Sequence, residues 1–223
     1  QLQVGWMVDG TKNEGTLTGT GLPSGQYSYA ALTQGDGYEI NWSFLVTDNG
    51  NSGGFEILAS SLGVTNTSGS DSTFEIDVLL PLTLTPGTAF YGGSMGGSLT
   101  GGDGGGLLTS IDGSPLWSAS VDGMVIATLG DAPFSYTTDP FGSTEIMDES
   151  FGVPIPGFEY AAAQESMSID MDFLLGGGDT FAITSTYVER LEARNEALQS
   201  ELQELRQELE QRTHSMPHSQ EPL

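Results

Sequence analysis

The chain has 223 residues, of which 30 are acidic and five are basic, so its formal net charge at pH 7 is −25. Such a surface repels phosphate backbones and anionic lipids, which excludes nucleic-acid binding and leaves cations, neutral glycans and copies of the chain as compatible partners. The lack of cysteine excludes disulfides and thiolate metal sites, and no apolar run reaches the roughly 20 residues that a membrane helix needs.

The long N-terminal part of the chain, residues 1–187, shows the alternation of apolar and polar side chains that β-strands produce. Because one face of each strand is then apolar and the other polar or acidic, the pattern favours antiparallel sheets with a solvated face. We predict a mainly β domain over residues 1–187, an antiparallel β-sandwich or a jelly-roll-like fold. The alternation is clearest at residues 38–46, 74–80, 167–173 and 181–184.

A hairpin is predicted in the second half of this domain. Asp122 and Gly123 suit the two central positions of a type I′ turn, because both positions require a positive φ. The flanking strands are expected near Leu116–Val121 and Met124–Leu129.

Two stretches of the β-domain are predicted to be irregular. Gly92–Gly106 is rich in glycine and is expected to form a long loop with one short strand. Asp131–Gly157 contains four prolines and is expected to run across a sheet edge, which would limit strand-to-strand aggregation. The G-x-S-x-G pattern around Ser94 is interpreted as part of the first loop, because a nucleophile elbow needs a following helix and a histidine base.

The hydrophobic period changes from two to a heptad after Tyr187. We predict a coiled-coil helix over residues 188–213, followed by a disordered tail at 214–223. Asn195 would add one polar layer that favours a parallel dimer, in which Glu201 faces Arg206 of the second chain. The alternative is a solitary helix that lies on its own sandwich. The predicted seam contains Val188, Leu191, Asn195, Leu198, Leu202, Leu205 and Leu209.

Three stretches, Gly19–Leu32, Gly113–Gly157 and Ser168–Val188, resemble a group of secreted, glycine-rich β-proteins of environmental bacteria. Many of these proteins carry a PEP-CTERM tail that an exosortase handles. The resemblance implies export to the cell surface or the extracellular matrix, and it implies no known activity. Where the Pro-Glu-Pro tail would begin, Thr186-Tyr187-Val188 continues into the heptads. The sequence leaves open whether the helix is native or replaces the sorting tail.

Three kinds of site are considered for the β-domain. Oxygen-rich turns at Asp48, Asn49 and Asp103 are calcium candidates, because calcium takes carboxylate and carbonyl ligands from loops; no other cofactor is expected. Trp117 is the glycan-binding candidate, whereas Trp42 falls in the apolar phase of its strand and is assigned to the core. Carboxylate pairs across a cleft would be needed for glycoside hydrolysis, but a solvated acidic sheet face explains the acids without catalysis.

The sequence therefore predicts a non-enzymatic, secreted structural or cell-surface protein that self-associates through its C-terminal helix. The first alternative is a glycan-binding module that is multimerised for avidity, with extracellular polysaccharide as its partner. The second is a carbohydrate-active enzyme. The start at Gln1, without an initiator methionine or a basic leader, is expected for a mature secreted chain or a fragment.

Overall fold

A computed structural model of the chain describes residues 1–48, 54–82, 87–191, 203 and 205–207. The first three ranges contain sixteen β-strands and form the domain that carries the candidate site. The strands are β1 Leu2–Val8, β2 Thr11–Leu17, β3 Thr20–Gly21, β4 Gln26–Gly35, β5 Tyr38–Asp48, β6 Gly54–Asn66, β7 Ser72–Pro81, β8 Thr88–Thr100, β9 Gly106–Thr109, β10 Trp117–Val121, β11 Met124–Leu129, β12 Ser135–Thr138, β13 Ser143–Phe151, β14 Phe158–Ala161, β15 Ser166–Leu175 and β16 Thr180–Leu191.

The strands form two antiparallel sheets of eight strands each, packed as a sandwich. Sheet A has the order β11-β10-β15-β7-β1-β2, with β9 paired to β15 and β12 paired to β9. Sheet B has the order β13-β8-β16-β6-β5-β4-β3, and β14 also pairs with β8. The predicted antiparallel β-sandwich is therefore confirmed.

The core lies between the two sheets and is built by the alternating strands. In β7, Phe74, Ile76 and Val78 are buried while Glu75 and Asp77 lie on the outer face. Aromatic rings join the sheets: Phe173 of β15 meets Phe181 of β16 edge-on with ring centroids 4.8 Å apart. Such pairs add to the free energy gained by burying their area.

The predicted hairpin is present. Strands β10 and β11 flank Asp122 and Gly123, which have φ values of 49° and 76°. Both residues occupy the left-handed region that a type I′ turn requires. The Asp122 carboxylate also accepts hydrogen bonds from the backbone N–H groups of Gln164, Glu165 and Ser166, which fixes the start of β15 against this turn.

The two stretches predicted to be irregular contain regular strands, so this prediction was wrong. Most of Gly92–Gly106 belongs to β8, a strand of 13 residues that pairs with β13, β14 and β16. The glycines let neighbouring groups pack closely against the backbone of β8. A Cβ at Gly93 would meet the Phe151 ring and the Thr186 carbonyl oxygen, each at 2.7 Å. Asp131–Gly157 contains β12 and β13, and β13 forms the edge of sheet B.

The last strand extends past the predicted helix start. β16 continues to Leu191, so Val188 and Leu191 belong to sheet B and the β-domain extends beyond residue 187. The two-residue alternation simply continues, since Tyr187 and Glu189 are buried while Arg190 is exposed. Residues 203 and 205–207 are helical. The remainder of the predicted coiled coil and the whole tail lie outside the described residues.

Candidate ligand-binding groove

A groove of about 1110 Å³ crosses the outer face of sheet A. It touches five neighbouring strands, β10, β15, β7, β1 and β2, and reaches Val125 of β11. Its walls combine carboxyl, hydroxyl and amide side chains with a few apolar ones. Hydrogen-bonding side chains on this face include Gln3, Glu14, Asp77, Ser118, Ser120 and Asp170.

Strand register places these side chains in rows. Gly5 is paired with Asp77, Asp77 with Asp170, and Asp170 with Ser118, so one row crosses β1, β7, β15 and β10. Residues directly opposite each other in antiparallel strands share a face. Because Gly5 has no side chain, the row is open on the β1 side of Asp77.

Asp77 and Asp170 form the centre of the groove and are joined by a side-chain hydrogen bond. Burial, this hydrogen bond and the charge of Asp170 together raise the pKa of Asp77 to about 7, against a smaller lowering by the cation of Lys12. A hydrogen bond between two carboxyl groups requires a proton on one of them. The raised pKa means that Asp77 keeps its proton up to near neutral pH.

A second acidic row lies beside the first. Asp172 of β15 is paired with Glu75 of β7. Burial raises the pKa of Asp172, as do the charges of Glu75 and Asp170, while a hydrogen bond from Ser114 opposes the rise. The four carboxyl groups form a block on two adjacent strands, where like charges repel.

The Asp77–Asp170 pair lacks the spacing of the two carboxyl groups of a glycoside hydrolase. Hydrolysis by two carboxyl groups requires a separation of about 5 Å in retaining enzymes and more in inverting ones, because a sugar or a water must fit between them. Asp77 and Asp170 are in hydrogen-bond contact, which leaves no such space. Within the ranges the structure describes, no three acidic or histidine side chains converge closely enough to hold a metal ion.

The outer face of sheet B has a different lining. A shallower depression of about 620 Å³ lies there between β8, β13 and β16 and includes Ser94 and Asp148. Ser94 sits in the middle of β8, opposite Thr186 on one side and Ser150 on the other. Since the strand continues for six residues beyond Ser94, the strand-to-helix turn of a nucleophile elbow is not formed.

A buried carboxyl group lies at one end of the sandwich, where sequence analysis expected a helix. Glu189 is fully buried, and its Oε1 accepts hydrogen bonds from the Tyr91 hydroxyl at 2.7 Å and the Ala163 N–H at 2.9 Å. Its Oε2 has no hydrogen-bond partner among the residues that the structure describes. Burial raises the pKa of Glu189, although both hydrogen bonds act in the opposite direction. The alternation of β16 was the signal that could have revealed it.

An aromatic pair lies on the short strand β14. The rings of Phe158 and Tyr160 are nearly parallel, with centroids 6.3 Å apart and planes at 17°. Their exposed fractions are 39% and 36%, so a ligand can reach both rings. Sequence analysis did not single out this pair, which follows directly after the stretch Asp131–Gly157 that was expected to be irregular.

The tryptophan predicted to bind glycans is not accessible. Trp117 is fully buried between the sheets and meets Tyr187 edge-on, with ring centroids 6.3 Å apart. The side chain of Trp117 points from β10 into the core, so the prediction that it binds glycans was wrong. Trp42 is fully buried, as predicted. Trp6 is half-buried, and its indole donates a hydrogen bond to the Tyr38 hydroxyl.

The calcium candidates are not brought together by the described structure. Asp103 is exposed on a turn closed by the bridge between Gly102 and Gly105. That turn is held from below by the buried Asp179, which accepts hydrogen bonds from the N–H groups of Gly102 and Leu107. The side chain of Asp48 and all of Asn49 lie outside the described residues.

The predicted oligomerisation residues fall into three groups. Val188 and Leu191 belong to β16. Leu205 and Arg206 are helical and exposed, and Leu205 exposes 56% of its surface. The others lie outside the described residues: Asn195, Leu198, Glu201, Leu202 and Leu209. Within the described part of the chain, no helix is long and apolar enough to cross a membrane.

Comparison with known proteins gives no family. No protein-family model matches the chain, and no curated protein matches it. Among solved structures, TmCBM61 in complex with β-1,4-galactotriose matches 72% of this chain and 86% of its own, at 13% identity and a TM-score of 0.28. The PA14 domain of the MpAFP antifreeze protein matches 81% of this chain and 78% of its own, at 16% identity and a TM-score of 0.24. Both TM-scores are low, so the fold is defined by the strand pairings alone.

Proposed function

We propose that the β-sandwich is a non-enzymatic, extracellular glycan-binding module and that its ligand lies in the groove of sheet A. The observation that carries this proposal is the groove itself, which crosses the sheet and combines hydrogen-bonding with apolar side chains. Small-molecule sites are typically concave and hold a few convergent polar groups. A glycan offers hydroxyl groups to the carboxyl and hydroxyl side chains, and its C–H faces can contact Met7 and Val125.

The net charge supports the same ligand class. With a formal charge of −25, the chain repels nucleic acids and acidic polymers, while a neutral or cationic glycan meets no such barrier. Export to the cell surface or the extracellular matrix is part of the proposal, because polysaccharide is abundant there.

A pair of glycine substitutions tests the groove directly. Gly5 lies in the groove, and a Cβ added there meets only ordinary contacts of 3.6 Å or more, so Gly5→Val should fold while filling the space beside Asp77. Gly63 is the matched control: it lies on the outer face of sheet B, where the nearest atom to an added Cβ is 3.9 Å away.

The measurement is glycan-array binding followed by titration calorimetry of the full chain. We expect Gly5→Val to weaken binding at least tenfold and Gly63→Val to leave it unchanged. Binding that persists in Gly5→Val but is lost in Tyr160→Ala would move the site to the aromatic pair on β14. Lack of binding to every neutral and cationic glycan would contradict the proposal.

A second proposed role is self-association as a parallel homodimer through the segment after Leu191. The observation in its favour is Leu205, which lies on a helical segment and exposes 56% of its surface. Exposed leucines at heptad spacing are buried when two helices pair. Two linked binding modules would also gain avidity on a polymeric glycan.

Sedimentation equilibrium tests this role with three proteins: the full chain, a chain that ends at Leu191, and Leu198→Pro. We expect a dimer for the full chain and monomers for the other two, because proline breaks the helix within the seam. Asn195→Leu should strengthen the association while loosening the choice between dimer and trimer. A monomeric full chain at tens of micromolar would contradict dimerisation.

Calcium remains a proposed ligand at the Asp103 turn. If a specific site exists, millimolar calcium should raise the melting temperature more than sodium chloride of equal ionic strength, and Asp103→Asn should remove the difference. Identical melting curves in the two salts would leave only general screening of the acidic surface.

A further inference from the structure

Strand β4 forms most of one edge of sheet B. It pairs with β5 along all of Gln26–Gly35, and the register does not shift. On its other side β4 pairs with the two-residue strand β3, through Tyr27 and Ser28. In the described part of the chain, Tyr29–Gly35 therefore has no strand beside it on that side.

One hydrogen bond shows which backbone groups of β4 face the open edge. The N–H of Leu22, just after β3, donates to the C=O of Gln26 at 2.7 Å, so this carbonyl points toward the β3 side. Alternate residues of a strand direct their N–H and C=O groups to the same side. The backbone groups of Ala30, Leu32 and Gln34 therefore point to the open edge, where no hydrogen-bond partner lies among the described residues.

This edge lacks the charges, prolines and bulges that usually protect an edge strand from pairing with another chain. β4 has ten residues, and none of them is charged or a proline. The other edge strands of the described chain are protected. β2 contains Lys12 and Glu14, β13 contains three acids, and β11 has a register shift. β3, β12 and β14 have four residues or fewer.

The open edge also presents apolar side chains. Leu32 exposes 57% of its surface, and Ala30 is exposed on the same face of β4. The acids nearest in sequence are Asp36, in the turn after β4, and Glu39 of β5, which accepts a hydrogen bond from the Gln34 side chain. A second strand can therefore pair with β4 without lying directly opposite a carboxylate.

We propose that β4 pairs with β4 of a second copy of this chain, antiparallel and about a two-fold axis at Leu32. This register places Leu32 opposite its counterpart and Ala30 opposite Gln34. In antiparallel strands, opposite residues that direct their backbone groups at each other exchange two hydrogen bonds, so the three pairs would form about six. A two-fold interface requires a surface that complements itself, and an uncharged strand with free donors and acceptors does so.

The charge of the chain favours a second copy as the occupant. Copies with a net charge of −25 repel each other, and like charges directly opposite in a strand pair are destabilising. Pairing through β4 places no charged residues opposite each other, and a charged peptide would find no ion pair along this strand. The contact is small, because one strand pair buries less than the roughly 1,000 Å² of a stable interface. Dimers should therefore form at high protein concentration and in salt that screens the repulsion.

Sedimentation equilibrium of the full-length variant Leu198→Pro, in which the proposed coiled coil is broken, isolates pairing through β4. We expect monomers at tens of micromolar in low salt and dimers as the protein approaches about 1 mM in about 0.5 M sodium chloride. Adding Leu32→Glu places two carboxylates opposite each other and should weaken dimerisation by roughly tenfold or more. Adding Met124→Glu introduces the same charge at an exposed position of β11 and should leave dimerisation unchanged.

Amide hydrogen exchange measured by NMR gives a test at single residues. In the monomer, the amides of Ala31 and Thr33 point toward β5 and should exchange slowly, whereas those of Ala30, Leu32 and Gln34 should exchange quickly. Dimerisation should slow the second group by roughly tenfold or more and leave the first group unchanged. Ala30→Pro removes one donor at the open edge and keeps the pairing with β5, so it should also weaken dimerisation.

The outcomes separate this inference from association through the C-terminal segment. If Leu198→Pro stays monomeric at every concentration and salt while the full chain dimerises, the C-terminal segment associates and pairing through β4 is wrong. A dimer that survives Leu32→Glu and is lost in Met124→Glu would place the contact at β11 and overturn the inference. Monomers whose Ala30, Leu32 and Gln34 amides are protected only by an added synthetic peptide of alternating threonine and valine would make this edge a peptide-docking site, which also contradicts self-pairing.

Discussion

The outer faces of the two sheets arise from the same alternating pattern but differ in chemistry. On sheet A, acidic side chains of β7 and β15 face each other, and the pKa of Asp77 rises to about 7. On sheet B, the outward residues of β8 and β16 are mostly glycine, serine, alanine and threonine, as in the paired Gly96 and Thr184. Alternation therefore determines which side chains face outward, whereas strand order determines what they meet.

The two sheets also differ in how tightly their backbones are surrounded. An added Cβ at Gly97 of β8 would clash with the carbonyl oxygen of Ala182, and one at Gly96 would clash with Asp148. An added Cβ at Gly5 of β1 has ordinary contacts. Sheet B is closely packed around β8, while sheet A leaves open space above β1.

The largest expected effect is on the end of β16. A chain that ends at Tyr187, the boundary predicted from sequence, loses the buried Glu189 and the last four pairings of β16 with β8. We expect it to lose cooperative thermal unfolding, whereas a chain that ends at Leu191 should melt like the full chain. Circular dichroism melts of the three proteins measure this. Equal melting curves for the two truncated chains would show that the last four residue pairs of β16 and β8 do not contribute to stability.

The second effect compares glycines of the two sheets. Gly97→Ala should lower the free energy of unfolding by about 3 kcal/mol or more, because backbone must move to relieve the clash. Gly5→Ala should change it by less than about 1 kcal/mol. Urea unfolding followed by tryptophan fluorescence gives both values, and similar losses in the two variants would contradict the difference in packing.

The third effect concerns the buried carboxyl group of sheet B. Glu189→Ala should cost about 3 kcal/mol, since it leaves a buried cavity and removes the acceptor shared by the Tyr91 hydroxyl and the Ala163 N–H, which then keep only the Ala161 carbonyl oxygen and the Tyr91 oxygen as acceptors. Glu189→Gln keeps an acceptor oxygen and should cost about 1 kcal/mol or less at neutral pH. Because the folded pKa of Glu189 is raised, the parent chain should lose stability relative to Glu189→Gln as the pH rises.

The smallest effect concerns the carboxyl pair of sheet A. Its folded pKa is raised, so the stability that Asp77 contributes is complete below its unfolded pKa near 4 and is lost as the pH rises through 7. We compare the free energy of unfolding of Asp77→Asn with that of the parent chain at pH 4 and at pH 8. The difference should shift by about 2 kcal/mol in favour of the variant at pH 8, a value reduced from the full pKa shift because solvent screens the open groove. Urea unfolding at both pH values measures it, with Asp103→Asn as the control. A constant difference would mean that Asp77 does not titrate in this range.

Much of the sandwich could be predicted from local pattern. β5, β7 and β15 alternate cleanly, and Asp122-Gly123 marks its hairpin, because side-chain period and turn chemistry are local properties. β8 could not be predicted in this way, since glycine provides no side chain whose alternation can be seen. At the end of β16, the spacing of Val188 and Leu191 also fits a heptad seam. These residues form a strand because they pair with β8, which the local pattern does not show.

The sequence by itself determined that this is an acidic antiparallel sandwich, because charge, turn residues and two-residue periodicity are carried by each short stretch. It also placed Asp77 and Asp170 on outward positions of their strands. Only the tertiary structure decided that β7 and β15 are neighbours, and it is this neighbourhood that joins two distant carboxyl groups by a hydrogen bond and raises the pKa of Asp77. Burial and pair distance depend on strand order, which no local pattern specifies.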